Sequence, residues 1–267
     1  MNAHIAIAGQ GSGGSAVTNM LAKAGVKRFT LFDPDELSPD NLKRHVLGPE
    51  YVGKPKVEGM EAHIRSINPD CQVRALKRTF GWKPRLPRIR WLGLDPCLAR
   101  LDPSLPREEQ EDAYGFTAKP DLVVSCVDSL ACESLINAYS LAENVPVVYG
   151  GVHGAARVAE IIYVIPGKTP CYECYEREGP LPEPSQEHYT DPNHDPTKMP
   201  TMPGLWGDVL LAASLQFQVI LGVLGLRALP APLTLFNIHE QPLFRAGFWN
   251  QKRGCAICTD NMEGLCR

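Results

Sequence analysis

The sequence has little net charge of either sign, no basic leader and no long uninterrupted apolar run. Its formal charge of −3 over 267 residues argues against binding nucleic acid or a membrane through bulk charge. The N-terminal residues MNAHIAIAG lack the basic region, the apolar core and the small-residue cleavage site of a secretion signal. These absences favour a cytoplasmic protein.

One segment, VLLAASLQFQVILGVLGL at residues 209–226, approaches the length of a membrane span. A bilayer requires about 20 consecutive apolar residues. Gln216 and Gln218 interrupt this segment, and Asp208 and Arg227 flank it. We therefore expect a buried helix or a helix at a subunit interface, and no membrane association.

The cysteines are nine in number, and four of them form two Cys-x-x-Cys pairs, Cys171 with Cys174 and Cys255 with Cys258. Without a secretion signal, such pairs favour metal ligation over a disulfide framework. Four thiolates complete the tetrahedral shell of Zn²⁺ and leave no open position for catalysis. We predict a structural zinc site; two redox-active dithiols are the alternative.

The hydrophobic pattern predicts an α/β fold. An apolar strand, a glycine turn, a helix and a second strand occupy residues 4–33, and this order implies parallel strands joined by a right-handed crossover. Further helices are predicted at 56–68, 130–144 and 205–226, and further strands at 71–76, 121–128, 146–151 and 156–166. Alternating residues in the last of these strands favour antiparallel pairing, so we predict a mainly parallel, Rossmann-like sheet continued by antiparallel strands.

The chain is expected to form one unit over residues 1–267. A nucleotide-binding half at 4–152 contains an irregular insertion at 80–118, which holds five prolines and two tryptophans. The remainder, 153–267, contains a proline-rich crossover at 179–204, which holds seven prolines. Both irregular stretches are predicted to be long surface loops, which are often functional.

The glycine turn GQGSGG places Gly9, Gly11 and Gly14, with Gly13, in a G-x-G-x-x-G spacing between a strand and a helix. Backbone N–H groups at such a helix start bind phosphate. Asp33 follows the next strand, where an acid bonds ribose hydroxyl groups. The motif predicts a nucleotide site without separating NAD from ATP.

The stretch after this acid is basic, with Lys43, Arg44, Lys54 and Lys56. An enzyme that cleaves ATP between the α- and β-phosphates must neutralise charge on the departing pyrophosphate, which needs cationic side chains and usually Mg²⁺. Asp128, after the central strand, is placed to bind that metal. Alone, however, the basic residues are more typical of a solvated surface.

Eight motifs in order resemble the ThiF/MoeB/HesA family, bacterial relatives of ubiquitin-activating enzymes: GQGSGG, LFDPDELSPDNLKRH, GKPKVE, INPD, DLVVSCVDS, PVVYGG, GKTPCYEC and CAIC. The resemblance covers residues 4–258. It implies an adenylyltransferase that joins the C-terminal carboxylate of a ubiquitin-like or sulfur-carrier protein, ending in glycine, to the α-phosphate of ATP. It also implies a homodimer with the late helix at its interface.

The resemblance assigns a role to each matching residue. Asp33 corresponds to the ribose-binding acid, Asn41 and Arg44 to phosphate contacts, Lys56 to the lysine on the phosphates and Asp128 to the Mg²⁺ ligand. Arg44, Lys56 and Asp128 are the predicted catalytic residues. The predicted nucleotide-site residues together are Gly9, Gly11, Gly13, Gly14, Asp33, Asp35, Asn41, Arg44, Lys56 and Asp128.

The sequence departs from the family pattern in several places. Only three residues precede the first strand, where relatives carry an arm with an ATP-contacting arginine, so we expect that contribution from another polypeptide or not at all. His45 replaces the usual glutamine after Arg44. Residues 175–254 contain no cysteine, although relatives that form a thioester or persulfide often place the nucleophile there.

The unpaired cysteines are Cys71, Cys97, Cys126, Cys132 and Cys266. Cys97, Cys126 and Cys132 are the candidates for a nucleophile, but buried structural cysteine is common. We expect adenylation without a catalytic cysteine, with a downstream protein completing the transfer. The alternatives are an enzyme like the tRNA threonylcarbamoyladenosine dehydratases, an NAD-dependent dehydrogenase and, from another class, an inactive member of this fold that only binds a partner.

Overall fold

The structure is a computed structural model that describes residues 1–81, 116–153, 158–176, 205–237 and 244–248, together with Asn250, Cys255 and Cys258. The strands in these residues are β1 (His4–Ala8), β2 (Arg28–Phe32), β3 (Gln72–Leu76), β4 (Leu122–Ser125), β5 (Val147–His153), β6 (Val158–Val164), β7 (Leu233–Asn237) and β8 (Phe244–Gly247). The α-helices are α1 (Ser12–Lys23), α2 (Lys56–Ile67), α3 (Leu130–Glu143), α4 (Tyr172–Glu176) and α5 (Trp206–Val223). Short 3₁₀ helices span Pro39–Arg44 and Pro49–Tyr51.

The strands form one eight-stranded sheet in the order β3-β2-β1-β4-β5-β6-β7-β8. The pairs from β3 through β5 are parallel. The pairs from β5 through β8 are antiparallel. This arrangement confirms the prediction of a mainly parallel sheet continued by antiparallel strands, and it joins strands from both predicted parts of the chain.

Helices cover both faces of the sheet. All five residues of β1 are buried, as the apolar sequence HIAIA requires for a central parallel strand. One apolar core lies between the sheet and α1, α2 and α5. A second core lies on the opposite face, where α3 contributes Ile136 and Tyr139. The layers therefore leave the carboxyl ends of the parallel strands free to form a site.

Several predicted boundaries shift by a few residues, and two of these shifts shape that site. Helix α1 begins at Ser12 rather than at residue 15, so Gly13 and Gly14 belong to its first turn. Strand β4 ends at Ser125 rather than at residue 128, which leaves residues 126–128 as a loop. The N–H of Cys126 still donates to the carbonyl of Ala8 at 2.8 Å, so this loop starts directly beside the end of β1.

Helix α5 is, within the described residues, the helix long and apolar enough to cross a membrane. It packs against α1, β5 and β6. Gln216, which interrupts its apolar sequence, is 3% exposed and donates to the carbonyl groups of Ser125 at 3.1 Å and Val148 at 3.5 Å. The polar residue in the apolar segment thus fastens α5 to the parallel sheet.

The two predicted irregular stretches lie largely outside the described residues. Of 80–118, the structure describes 80, 81 and 116–118. None of 179–204 is described. The single-unit assignment over 1–267 and its internal boundary remain predictions.

Candidate nucleotide site and cysteine cluster

The candidate site lies where β1 has β2 on one side and β4 on the other. The chain passes from β1 to β2 in one direction and returns across β1 to reach β4, which makes this position the topological switch point of the sheet. In the strand register, Ala8 pairs with Phe32 of β2 on one side and with Ser125 of β4 on the other. The loops that follow β1, β2 and β4 consequently emerge side by side, and ligands of open α/β sheets bind in such a crevice.

The glycine loop depends on two glycines for its shape. Gly9 has a φ of +86°, and a Cβ atom there would stand 2.4 Å from the carbonyl oxygen of Cys126. A Cβ atom on Gly14 would stand 1.9 Å from the carbonyl oxygen of Gly9. Any side chain at these positions would separate the loop from β4 or from α1, so close backbone packing dictates both glycines.

Gly11 and Gly13 face open space, because a Cβ atom on either would meet nothing within 4 Å. Gly11 is the N-cap of α1 and has no side chain with which to cap the first turn. The first turn contains no acidic residue. Its N–H groups and the positive end of the helix dipole therefore suit an anion, and the open space at the glycines fits a phosphate group.

Asp33, after β2, is the acid nearest to this loop in the hydrogen-bond network. Its Oδ2 accepts from the N–H of Gln10 at 2.6 Å, and its Oδ1 accepts from the N–H of Asp35 at 2.8 Å. Asp33 is 5% exposed. Burial raises its pKa, while the charge of Lys56 and both N–H donors oppose that rise.

Lys56 is the first residue of α2 and is 7% exposed. Its Nζ lies 2.8 Å from Oδ2 of Asp35 and 3.9 Å from Oδ1 of Asp33. The N–H of Lys56 also donates to the carbonyl of Asp35 at 3.0 Å. The structure therefore brings this lysine and the two acids together, with Asp33 bonded to the glycine loop.

Asn41 and Arg44 lie on the 3₁₀ helix Pro39–Arg44. The side-chain oxygen of Asn41 accepts from the N–H of Ser38 at 3.1 Å, which closes the first turn of this helix. Arg44 is its last residue and is half-buried, whereas Lys43 is exposed. The following residue, His45, connects this helix to the glycine loop.

The ring of His45 bonds to backbone on both sides. Its Nε2 donates to the carbonyl of Gln10 at 2.7 Å, and its Nδ1 accepts from the N–H of Leu47 at 3.0 Å. Burial, together with the charges of Lys56 and Arg44, lowers the pKa of His45 to about 4. Sequence reasoning missed this contact, because its acceptor is a backbone carbonyl 35 positions away.

Asp128 lies on the loop after β4 and is exposed. That loop begins at Cys126, whose carbonyl is the group nearest to a Cβ built on Gly9. The predicted metal ligand therefore stands on the loop adjoining the glycine loop, at the rim of the crevice. A solvent-exposed carboxylate at this position suits a hard, partly hydrated cation such as Mg²⁺.

The four paired cysteines come together in one cluster. The Sγ atoms of Cys171 and Cys174 are 3.8 Å apart, those of Cys171 and Cys255 are 3.7 Å apart, and those of Cys174 and Cys258 are 3.5 Å apart. A tetrahedral Zn²⁺ with sulfur ligands at about 2.3 Å separates those sulfur atoms by about 3.8 Å. The cluster fits a zinc ion, and its sulfur atoms are too far apart for disulfide bonds.

The unpaired cysteines that the structure describes are poor nucleophiles. Burial raises the pKa of Cys126 to about 12 and of Cys132 to about 11. Cys71 is buried, its Sγ lies 3.3 Å from the carbonyl of Val26, and its pKa is also raised. The thiolate is the reactive form of cysteine, and burial disfavours it at all three positions. Cys97 and Cys266 lie outside the described residues.

Sequence comparison relates the chain to known proteins. Residues 1–212 match the model of the ThiF family. Ubiquitin-like modifier-activating enzyme 5 of Caenorhabditis briggsae is 28% identical over 170 residues, or 64% of this chain and 35% of that protein. The Drosophila ananassae enzyme is 29% identical over 170 residues, or 64% and 39%. The matching part spans little more than a third of these relatives.

Structural comparison finds the same fold in solved proteins. A crystal structure of Escherichia coli MccB with ATP matches 96% of this chain and 67% of that one, with a TM-score of 0.67 and 20% sequence identity. The structure of PaaA matches 92% and 64%, with a TM-score of 0.63 and 15% identity. At these identities the likeness shows the shared fold alone.

Proposed function

The chain belongs to the ThiF family, and we propose that it uses ATP to adenylate the C-terminal carboxylate of a ubiquitin-like or sulfur-carrier protein. The observation that carries the proposal is the convergence of three loops at the β1/β4 switch point. These loops contain the uncapped start of α1, the buried Asp33 and the exposed Asp128. Together they provide sites for phosphate, ribose and a hard cation.

In the proposed reaction an oxygen of the substrate carboxylate bonds to the α-phosphorus of ATP, and the bond from that phosphorus to the oxygen bridging to the β-phosphate breaks. The products are an acyl adenylate and pyrophosphate. No protein nucleophile is required, because positioning of the two substrates and stabilisation of charge suffice for such a step. The raised pKa values of Cys126 and Cys132 agree with this mechanism.

The protein's own residues divide this work between the two ends of the nucleotide. Asp33 accepts hydrogen bonds from the ribose, and the N–H groups at the start of α1 bind phosphate. Asn41, Arg44 and Lys56 bind the phosphates and stabilise the charge that develops on the pyrophosphate. Lys56 must turn from Asp35 to do so, because its Nζ now lies 2.8 Å from that carboxylate.

Asp128 is the residue that would hold Mg²⁺. A bound Mg²⁺ neutralises phosphate charge and acts as a Lewis acid toward the departing pyrophosphate. The proposed cofactors are therefore ATP with Mg²⁺ and, in the cysteine cluster, a structural Zn²⁺ bound by Cys171, Cys174, Cys255 and Cys258. That zinc would tie the C-terminal part of the chain to the start of α4.

The comparisons support a class of substrate. The curated relatives carry names of ubiquitin-like modifier-activating enzymes, and the structural neighbour MccB has been crystallised with MccA. We infer that this chain also acts on a small protein or peptide with a free C-terminal carboxylate. A downstream protein would then complete the thioester, sulfur or conjugate transfer.

We further propose a homodimer in the cytoplasm. Leu205 is 74% exposed and Leu211 on α5 is 38% exposed, so this helix retains apolar surface for a second copy. The sulfur atoms of the cysteine cluster are too far apart for disulfide bonds, as expected in a reducing compartment.

Isotope exchange between pyrophosphate and ATP tests the proposed reaction. Zinc-replete protein is incubated with Mg²⁺, ATP and labelled pyrophosphate, with and without candidate carrier proteins. Exchange that depends on a carrier with an intact C-terminus supports the proposal, and deletion of the carrier's last residue should abolish it. Exchange with none of the carriers would contradict the proposal, and ATP turnover that depends on tRNA would favour the dehydratase instead.

A scaffold protein without catalytic activity makes a different prediction. The Arg44→Ala variant should bind ATP more weakly than the wild-type protein if the site binds the triphosphate. Failure of both proteins to bind ATP would favour a partner-binding member of the fold. Binding of a nicotinamide dinucleotide instead would favour a dehydrogenase.

A further inference from the structure

The two hydrogen bonds of His45 determine its tautomer. The backbone N–H of Leu47 is a donor, so Nδ1 must carry a lone pair, and the carbonyl of Gln10 is an acceptor, so Nε2 must carry the proton. The ring is therefore neutral, with its proton directed into the glycine loop. Because His45 is 7% exposed, water does not compete for these two bonds.

The residue that His45 contacts is itself held in place. Gln10 is fully buried, and its N–H donates to Asp33 at 2.6 Å. Its side-chain oxygen accepts from the hydroxyl of Thr18 at 3.0 Å. The neighbouring Gly9 donates to the carbonyl of Phe32 at 2.8 Å. His45 thus bonds to a rigid point between the ends of β1 and β2.

The 3₁₀ helix that precedes His45 in the chain has little stability of its own. The 3₁₀ helix that ends at Arg44 is six residues long, and none of those residues is buried. Helices of this type are short and have poorer hydrogen-bond geometry than α-helices. Leu42 packs partly against the core, but the position of Arg44 at the helix end depends on how the next residue, His45, is anchored.

We infer that His45 is a positioning residue, which through its Nε2–H bond to Gln10 sets the distance between Arg44 and the phosphate-binding start of α1. The inference rests on the proposed ATP site and deepens it. His45 stands beside Arg44 in the chain and bonds to the loop that precedes α1, so it couples the two phosphate-binding elements. Loss of this bond would leave Arg44 on a mobile helix end.

The ribose end of the site does not require His45. Asp33 follows β2 directly and accepts N–H bonds from Gln10 and Asp35. Loss of the His45 ring leaves both of these bonds in place. A positioning role therefore predicts weaker binding of ligands with phosphates and unchanged binding of adenosine.

Two amide substitutions distinguish the roles of the two ring nitrogens of His45. In His45→Gln, the longer side chain places an N–H near the position of Nε2 and can preserve the bond to Gln10. In His45→Asn, the shorter side chain places its oxygen near the position of Nδ1, where it preserves the bond from Leu47 and cannot reach Gln10. Both variants remain polar and neutral at this buried position.

Equilibrium dialysis with radiolabelled ATP and adenosine, in the presence of Mg²⁺, tests the inference. Relative to wild type, His45→Asn should bind ATP about tenfold more weakly, because ATP must then order a mobile Arg44 when it binds. Its affinity for adenosine should change less than about twofold. His45→Gln should retain the ATP affinity within about threefold.

Several outcomes would overturn the inference. If His45→Asn binds ATP as tightly as wild type, the inference is wrong but the proposed function stands. If His45→Asn loses ATP and adenosine binding equally, His45 has a general structural role and the inference is also wrong. If His45→Asn does not fold, a folded His45→Gln that binds ATP tenfold more weakly would contradict the role of the Gln10 bond. Failure of the wild-type protein to bind ATP would refute the proposed function and this inference together.

Discussion

The carbonyl oxygen of Gly9 lies 1.9 Å from the position that a Cβ atom on Gly14 would occupy. The end of β1 and the first turn of α1 are therefore in contact through backbone atoms alone. One residue nearer the helix start, Gly13 faces open space. Two glycines in one motif thus serve different purposes, one for packing and one for space beside the proposed phosphates.

This difference predicts opposite stability effects for two alanine substitutions. Gly14→Ala should lower the free energy of unfolding by about 3 kcal/mol or more, because a backbone oxygen must move. Gly13→Ala should fold with unchanged or slightly greater stability, up to about 1 kcal/mol, because alanine favours the helix. Gly13→Ala should still bind ATP more weakly, since its methyl group enters the proposed phosphate space. Urea unfolding and ATP binding measure the two effects, and a stable Gly14→Ala would contradict the packing argument.

For the ion pair between Lys56 and Asp35, we predict that substituting the lysine and substituting the aspartate have different effects on activity. Lys56→Met should reduce carrier-dependent pyrophosphate exchange about 100-fold or more, as removal of a group that stabilises transition-state charge does. It should also raise the pKa of Asp33, because Lys56 opposes the effect of burial on that carboxyl. The measurement is the exchange rate at saturating ATP.

Asp35→Asn alters a residue that the sequence analysis assigned to the nucleotide site, and it separates the contribution of the ion pair from that of the lysine. The side chain of Asp35 is 63% exposed, so its ion pair should contribute only about 0–1 kcal/mol to stability. Lys56 in this variant is free to reach the phosphates, and exchange should persist. If Asp35→Asn were as inactive as Lys56→Met, the ion pair rather than the lysine would be the essential element.

The cysteine cluster predicts a metal content that can be measured directly. The purified protein should contain about one zinc ion per chain, and Cys174→Ser should remove it. Metal loss should lower the midpoint of thermal unfolding by at least about 5 °C, because the site joins distant parts of the chain. Cys132→Ser lies outside the cluster and should retain both zinc and adenylation activity. A zinc-free protein of normal stability would argue for dithiols instead.

The sequence pattern predicts the first half of the fold well, because each helix or strand there has a clear signal in its own local sequence. The apolar run HIAIA, the glycine turn and Asp33 follow one another at the spacing of a strand, helix and strand unit, and the structure has these elements. Strands β7 and β8 are not indicated by the pattern. They are five and four residues long, and their pairing partners are set by the sheet rather than by local periodicity.

The contacts between residues of the candidate site could not be predicted from the sequence. The basic residues after Asp33 are visible in the sequence, but their partners are not. Lys56 reaches Asp35 because residues 36 and 55 pair as an isolated antiparallel bridge, which folds the intervening segment back on itself. The contact between His45 and Gln10 is equally hidden, because a backbone carbonyl has no sequence signal.

The buried ring of His45 also predicts a pH dependence of stability. Its pKa of about 4 in the folded protein is below the value of about 6.5 in an unfolded chain. The unfolded state therefore binds more protons between these values, and the contribution of His45 to stability, complete above pH 6.5, is lost as the pH falls toward 4. From pH 7 to pH 5 this loss amounts to about 2 kcal/mol.

The His45→Gln variant isolates this contribution, because its amide does not titrate. Its free energy of unfolding should fall about 2 kcal/mol less than that of wild type between pH 7 and pH 5. His4 and His63 also have lowered pKa values, but both are present in each protein and cancel in the difference. Urea unfolding at the two pH values provides the measurement. Equal pH dependence in the two proteins would mean that the ring is accessible to protons and does not hold the neutral tautomer on which its bond to Gln10 depends.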